Sequence, residues 1–159
     1  MHAFVRIGLA SLLFFAFHAS AENPVCIGGD LDHLSAAQQG SCRGIADRVR
    51  IGTTKFHPPA DWHFYVLCTD TDWKKYAAFS TRSAQELATL DADTDLRNRV
   101  TFLRGEHLLA ANVSGLDKIL AHEVASAQLE STDEKLIGRQ VALLLPEPDQ
   151  TKPVLQAAR

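Results

Sequence analysis

Hydrophobic residues along this chain fall into short runs separated by polar stretches that contain glycine, proline or aspartate. The run 62–68, WHFYVLC, is aromatic and β-branched and is flanked by turn formers, a pattern that predicts a strand. The run 100–103, VTFL, predicts a second strand that ends near Gly105. The apolar residues at 108–110 are expected to continue that strand after a kink.

Apolar residues spaced three or four positions apart predict the helices. The first predicted helix covers 34–50, the second is a short helix capped by Thr71-Asp72 that runs to Phe79, and the third covers 83–90 with a capping box. A fourth helix is predicted from Ser114 to about Glu130, with Asp117 in its first turn. The last helix is capped within 131–134 and ends before Pro146. The stretches 22–32, 52–61 and 91–98 are predicted as loops. The prediction is therefore an α+β domain at 22–145, with a small mixed sheet and a closing C-terminal helix, followed by a flexible tail at 146–159.

The first 21 residues are expected to be a secretory signal rather than part of the fold. Arg6 gives a weakly positive start, 7–17 is a short apolar core, and Ala19-Ser20-Ala21 is a small-x-small cleavage site. The apolar core is too short to cross a bilayer comfortably, so a cleaved leader is favoured over an anchor. We therefore expect a periplasmic or secreted protein with no membrane span after cleavage.

Three cysteines accompany this expected export, and an odd number leaves one thiol unpaired. A disulfide between Cys26 and Cys42 is favoured, because it would connect a loop-rich N-terminus to the first helix. The alternative joins Cys42 to Cys68, linking a helix to the end of a strand. No C-x-x-C spacing is present, which argues against a Cys/His zinc site.

The charge pattern excludes one class of partner. The formal net charge is −3, and the sequence has no basic run and no interleaving of aromatic and basic residues. These features argue against a nucleic-acid ligand. A protein or peptide ligand of unknown identity is the expected partner.

The helix predicted over 114–130 carries the most informative chemistry. On a helical wheel one stripe is apolar, formed by Leu116, Ile119, Leu120, Val124 and Ala127. Glu123 falls in the middle of this stripe, and His122 and Ser126 lie on its flank. A carboxylate among core residues must be paired, hydrogen-bonded or neutralised, so this helix has the character of a functional-site helix. A purely structural role for His122 is the alternative.

His122 and Glu123 also begin a metal-binding pattern. In the His-Glu-x-x-His motif, two histidines four residues apart bind zinc from one helical face, and the glutamate acts as general base. Here the second histidine is replaced by Ser126, whose neutral and short hydroxyl is a poor zinc ligand. Zinc binding is therefore expected to be weak or absent.

The order of strand, helix with His122-Glu123, acidic turn and closing helix resembles the core of zincin-type metallopeptidases. In that core an edge strand lies along the active-site helix, and a later acidic residue completes the zinc site. Residues 61–145 look like small bacterial secreted proteins with an Ala-His-Glu-Leu-x-His helix and a Thr-Asp-Glu turn. The segment after Glu134 is more loosely similar to ImmA/IrrE-type peptidases.

The resemblance implies a role for each matching residue. Glu123 would be the catalytic base that polarises a zinc-bound water, and His122 would be the first metal ligand. Asp133 or Glu134 would be a further ligand. Ser126 occupies the position of the missing ligand, and His107 is the best substitute, with His57 and His63 as weaker ones.

Three functions remain open from the sequence. The favoured one is an exported zincin-like domain that is catalytically impaired or inactive and acts by binding. The second is an atypical zinc-dependent hydrolase, and the third is a non-enzymatic envelope inhibitor or immunity-like protein. A serine hydrolase using Ser126 and His122 is less favoured, since no nucleophile elbow surrounds Ser126. The acidic triplet at 91, 93 and 95 fails the calcium-loop pattern and is interpreted as a capped, solvated turn.

Overall fold

The computed structural model describes residues 24–80 and 82–146; the predicted leader and all of the predicted tail except Pro146 lie outside these ranges. In chain order the described elements are β1 (Val25–Gly28), α1 (Ala36–Phe56), β2 (His63–Leu67), α2 (Asp70–Ala77), α3 (Ala84–Thr89), β3 (Ala92–Asp95), β4 (Val100–Arg104), α4 (Gly105–Ala110), α5 (Val113–Leu129) and α6 (Glu134–Leu144). No helix within the described ranges is both long enough and apolar enough to cross a bilayer.

The strands form one mixed sheet in the order β1-β2-β4-β3, which confirms the predicted α+β class. β1, β2 and β4 run parallel, and β3 runs antiparallel to β4 at one edge. Helices α1 and α5 pack on the face that carries Phe64, Val66 and Leu103, where most of the core lies. A smaller cluster on the opposite face joins Leu67 to residues of α2 and α3.

Helix α1 is longer than the hydrophobic pattern predicted. It begins with a capping box in which Ser35 and Gln38 exchange hydrogen bonds, and it continues past Gly52 to Phe56. Gly52 is buried and faces Leu120 of α5, where a Cβ would overlap the leucine side chain. The predicted loop from Gly52 is therefore wrong at its start: the glycine permits close packing of α1 on α5 instead of ending the helix.

The N-terminal segment is not a loop, and this overturns the favoured disulfide. β1 pairs with β2 in a register that places Cys26 opposite Tyr65, while Val25 and Ile27 pack against the core on the α1 side. Successive strand residues face opposite sides of the sheet, so Cys26 points away from α1. Cys42 is bonded to Cys68 instead, with 5.6 Å between their Cα atoms, and Cys26 is free.

The polar stretch predicted as a loop at 91–98 contains the edge strand β3. Asp93 is only 5% exposed, so the interpretation of the acidic triplet as a solvated turn is wrong for this residue. A polar strand is stable here because its side chains find partners on both faces of the sheet, as described below. β4, formed by the strand predicted at 100–103, lies inside the sheet.

Other differences concern helix starts. The residues at 108–110 belong to helix α4, not to a continued strand, since Gly105 fits against the backbone of Leu67 where a Cβ would approach a carbonyl oxygen to 2.8 Å. Thr69, not Thr71, caps α2, and Asn112, not Ser114, caps α5. The capping box predicted for α3 and the helix end predicted before Pro146 are confirmed.

Candidate functional site

Helix α5 carries the predicted site residues His122 and Glu123 and the position of Ser126, and its apolar stripe lies in the core as the wheel indicated. Leu116, Leu120, Val124 and Ala127 are each at most 3% exposed. Glu123 lies among them at 8% exposure, so its carboxylate needs partners inside the protein. Its side chain is directed toward the edge strand β3.

A directed chain of hydrogen bonds reaches Glu123 from the sheet. The indole Nε1 of Trp62 donates to the hydroxyl of Thr101 over 3.0 Å. The hydroxyls of Thr101 and Thr94 are 2.7 Å apart, and Thr94 donates to Glu123 Oε2 over 2.6 Å. Because Thr94 gives its single hydroxyl proton to Glu123, it must itself accept from Thr101. This chain fixes Glu123 against β3.

His122 lies between two carboxylates. Its Nδ1 is 3.3 Å from Glu123 Oε1, and its Nε2 is 3.1 Å from Glu134 Oε2. The hydrogen bond to Glu123 is the main reason why the pKa of His122 rises to about 9, Glu134 adds to the increase, and partial burial opposes it. The imidazole is therefore protonated at neutral pH, with both ring nitrogens donating.

Ser126 does not act as a ligand or as a nucleophile in this arrangement. Its hydroxyl donates to the backbone carbonyl oxygen of His122 over 3.1 Å, one helical turn back. It makes no hydrogen bond with the His122 ring, so the geometry gives no support to a serine hydrolase that uses this pair.

The two acidic candidates of the turn have different positions. Asp133 is the N-cap of α6 and accepts hydrogen bonds from the backbone N–H groups of Lys135 and Leu136. Glu134, the first residue of α6, reaches His122. The structure therefore brings together His122, Glu123 and Glu134 and uses Asp133 for capping.

His107, the proposed substitute ligand, is directed elsewhere. It lies on α4, and its Nδ1 is 2.7 Å from Asp91 Oδ1. It does not line the cleft that contains His122 and Glu123. The geometry therefore does not place His107 where a substitute ligand would be needed.

The site residues do not fit a catalytic zinc ion. Within the described part of the chain, no three His, Cys, Asp or Glu side chains are arranged to hold a metal. Both ring nitrogens of His122 donate to carboxylates, Glu123 accepts from Thr94, and the Ser126 hydroxyl donates within its own helix, so these groups leave no common position for a metal. Catalytic zinc normally needs three protein ligands and a water, and this arrangement does not supply them.

Two cavities meet at β3. A cleft of about 130 Å³ is lined by His122, Glu123 and Ser126 of α5 and by Glu134 of α6. A groove of about 720 Å³ follows the other side of β3. The residues that line both are Arg82, Asp93, Thr94 and Thr132. The two cavities therefore border the same edge of the sheet.

A second buried carboxylate was missed by sequence reasoning. Asp93 receives hydrogen bonds from the Tyr76 hydroxyl at 2.5 Å and from Arg82 Nε at 2.6 Å. Burial raises the pKa of Tyr76, and the bond to Asp93 raises it further. The alternation of aspartates at 91, 93 and 95 is the sequence signal that could have indicated a strand.

The outer edge of β3 carries no further strand within the described residues. Arg104 N donates to the carbonyl oxygen of Asp91, so the hydrogen-bonded pairs of the β3–β4 ladder include residues 91, 93 and 95. Residues in between direct their N–H and C=O groups away from the partner strand. The backbone N–H and C=O groups of Ala92 and Thr94 therefore face away from β4, and both residues line the cleft, although Ala92 is only 8% exposed.

Comparison with known proteins gives no family assignment: no protein-family model, curated protein or solved structure matches the chain significantly. The site is therefore interpreted from its own geometry.

Proposed function

We propose that this protein is a zincin-like binding domain without hydrolytic activity, which captures an extended polypeptide segment along the open edge of β3. The captured segment adds a strand to the sheet, with its backbone bonded to Ala92 and Thr94. Strand addition of this kind derives affinity from main-chain hydrogen bonds and specificity from alternate side-chain pockets.

The zincin-like part of the proposal is supported by the arrangement of elements. An edge strand lies along the helix that carries His122 and Glu123, and Thr94 of that strand bonds directly to Glu123. The next helix, α6, contributes Glu134 to the same cleft. The edge strand in this arrangement is β3, not the strand at 100–103 that the sequence indicated.

The absence of hydrolysis in the proposal is supported by how the polar groups are used. Glu123, which would have to activate a water, instead accepts from Thr94 and from His122. Ser126 stands where the second zinc ligand of the motif would be, and its hydroxyl is bonded to its own helix. The general-base position of the motif is thus held by hydrogen bonds inside the protein, and the second ligand position carries a hydroxyl that is a poor zinc ligand.

The single observation that carries the proposal is the shared lining of the cleft and the groove at the open edge of β3. An unpaired edge is a template for another strand, and proteins usually protect such edges. Here two cavities flank the edge instead, so a segment of several residues can lie beside it.

A peptide-binding measurement tests the proposal. We expect members of a library of N-acetylated, C-amidated hexapeptides rich in Val and Thr to bind, with fluorescence anisotropy as readout. Matched peptides N-methylated at alternate amides should not bind, since they cannot pair with a strand. Amide NMR signals of Ala92 and Thr94 should shift on binding, and the peptide should stay uncleaved. No binding, or equal binding of N-methylated peptides, would contradict the proposal.

An atypical zinc hydrolase is the second candidate, because His122, Glu123 and Glu134 do converge on one cleft. Zinc content of protein purified without chelators tests it: tight one-to-one zinc favours the hydrolase. Ser126→His tests the zincin-like scaffold itself. Zinc affinity that appears in this variant and is lacking in the parent supports the scaffold, and its absence removes that support. Ser126→Ala is the matched control for loss of the hydroxyl.

We also propose that the domain works outside the cytoplasm, in the periplasm or the medium. The leader-like pattern at 1–21 and the Cys42–Cys68 bond support this location. Expression of the full chain in a bacterium, followed by mass spectrometry of the N-terminus, tests it. A chain retained in the cytoplasm with residues 1–21 attached would contradict it.

A further inference from the structure

We propose that the groove beside β3 selects a segment that carries an acidic residue and, two positions away, an aromatic or large aliphatic residue. This inference rests on the proposed function, since it assumes that an extended segment pairs with β3. It specifies the side chains that such a segment presents on the α2 side of the sheet.

The floor of the groove is aromatic. Tyr76 and Phe102 stack with their ring centroids 4.1 Å apart, and both rings line the groove. Phe79 lies at its margin and is 88% exposed, the highest exposure among the large exposed hydrophobic residues of the described chain. Aromatic side chains contribute strongly to interfaces when a partner buries them. A large apolar side chain of the ligand fits between Phe79 and this stacked pair.

The carboxylates that line the groove are already satisfied. Asp93 accepts from Tyr76 and Arg82. Asp95 accepts from the Asn98 side chain and from the backbone N–H groups of Arg97 and Asn98. A basic ligand would therefore have to compete with bonds that the protein already makes.

The arginines of the groove, in contrast, have donors to spare. Arg82 uses Nε for Asp93, and no residue within 24–80 or 82–146 accepts a hydrogen bond from its two Nη atoms. Arg97 is exposed, and its guanidinium makes no hydrogen bond or ion pair within the same ranges. A guanidinium presents planar donors that match a carboxylate, so the open hydrogen-bonding capacity of the groove favours an acidic ligand side chain.

The spacing of the two ligand side chains follows from strand geometry. A segment paired with β3 directs every second side chain to the α2 side, and these side chains are about 7 Å apart along the strand. Residues at positions i and i+2 of the segment can therefore reach an arginine and the aromatic floor at the same time. Residues at i and i+1 would face opposite sides.

A positional scan of the same capped hexapeptides tests the inference. We expect Asp or Glu to be enriched at one position and Phe, Tyr, Trp or Leu two positions away. Arg97→Glu should weaken binding of the selected acidic peptide about tenfold in low salt and should shift the preference towards Lys. Arg139→Glu, an equal charge change on an exposed residue of α6 outside the groove, should leave binding unchanged.

Phe79→Ala provides a second test of the same peptide scan. Phe79 is largely exposed, so its truncation should leave the fold intact. It should reduce the aromatic preference and leave the acidic preference in place. Binding without either preference, or equal effects of Arg97→Glu and Arg139→Glu, would overturn this inference and leave strand addition standing. Failure of every peptide to bind would overturn both.

Discussion

Two buried carboxylates on opposite sides of the same edge strand are neutralised in different ways. Asp93, 5% exposed, faces the α2 side and is paired with Arg82 and Tyr76. Glu123, 8% exposed, approaches from the α5 side and is paired with His122 and Thr94. Each carboxylate accepts from one cationic group and one hydroxyl.

The difference lies in the cation. The Arg82 guanidinium is charged at every accessible pH, so the cation that pairs with Asp93 does not titrate. His122 can lose its proton, so its contribution to the Glu123 side is lost when the imidazole becomes neutral, and Thr94 then remains as the partner of Glu123. The comparison suggests that one side of β3 is a fixed support and that the other is sensitive to pH, which the following changes test.

Removing the fixed cation should have the largest effect. Arg82→Met leaves Asp93 buried with only the Tyr76 hydroxyl as partner, and we expect the free energy of unfolding to fall by about 2 to 3 kcal/mol. Urea denaturation followed by circular dichroism measures the loss. Arg97→Met, which removes an unpaired arginine from the same groove, should change stability by less than about 0.5 kcal/mol.

A double variant makes this prediction stricter. Adding Asp93→Asn to Arg82→Met removes the uncompensated charge and should recover part of the lost stability. If the free energies of unfolding lost in Arg82→Met and in Asp93→Asn simply add in the double variant, the two side chains do not act as a pair.

Breaking the hydroxyl chain on the other side should have an intermediate effect. Thr94→Val keeps the side-chain shape and removes the group that joins Thr101 to Glu123. We expect a loss of about 1 to 2 kcal/mol, because a buried carboxylate and a buried hydroxyl each lose a partner. Thr94→Ser, which keeps the hydroxyl, should be closer to the parent. Equal losses in both variants would mean that packing, not hydrogen bonding, holds β3 to α5.

The free energy of unfolding should fall as pH rises, because His122 loses its proton. The pKa of His122 is about 9 in the folded protein and 6.5 in an unperturbed histidine, so the folded state holds an extra proton between these values. The stabilisation is complete below pH 6.5 and is lost as pH rises through 9. Since the side chain is 40% exposed, screening limits it to about 1 kcal/mol.

Urea denaturation at pH 6 and pH 9 checks this prediction, with His122→Gln as the control that cancels other titrating groups. The parent should lose more stability than the variant across this range. A loss of the same size in His122→Gln would assign the pH dependence elsewhere in the molecule.

The sequence predicted those features of the site that depend on residues close together in the chain. The buried position of Glu123 was predicted, because helical periodicity alone places a residue in an apolar stripe. The cap Ser83 was predicted for the same reason, because a cap contacts residues within one turn of itself. The cap of α6 was predicted only to lie within 131–134, and the structure identifies it as Asp133.

Features that depend on distant partners were not predicted. β3 has a polar sequence and is a strand because Tyr76, Arg82 and Glu123 satisfy its side chains. The pairing of Cys42 depends on which face of the sheet β1 presents, and this required the register with β2. The sequence also left open whether Asp133 or Glu134 would reach the site. The structure distinguishes them, because Asp133 caps α6.

The smallest expected effect separates the two carboxylates that contact His122. Glu123 is the larger cause of the raised pKa of His122 and is buried, while Glu134 is 78% exposed and accepts from the same ring. Glu123→Gln should therefore lower the pKa of His122 more than Glu134→Gln does, because solvent screens the exposed partner. NMR titration of the His122 ring protons measures both shifts. Glu134→Gln should also change the free energy of unfolding by less than about 0.5 kcal/mol.

An equal or larger pKa decrease in Glu134→Gln would show that the exposed carboxylate, and not the buried one, sets the charge of this side of β3. The pH response would then depend on the first turn of α6 rather than on the contact between α5 and the edge strand.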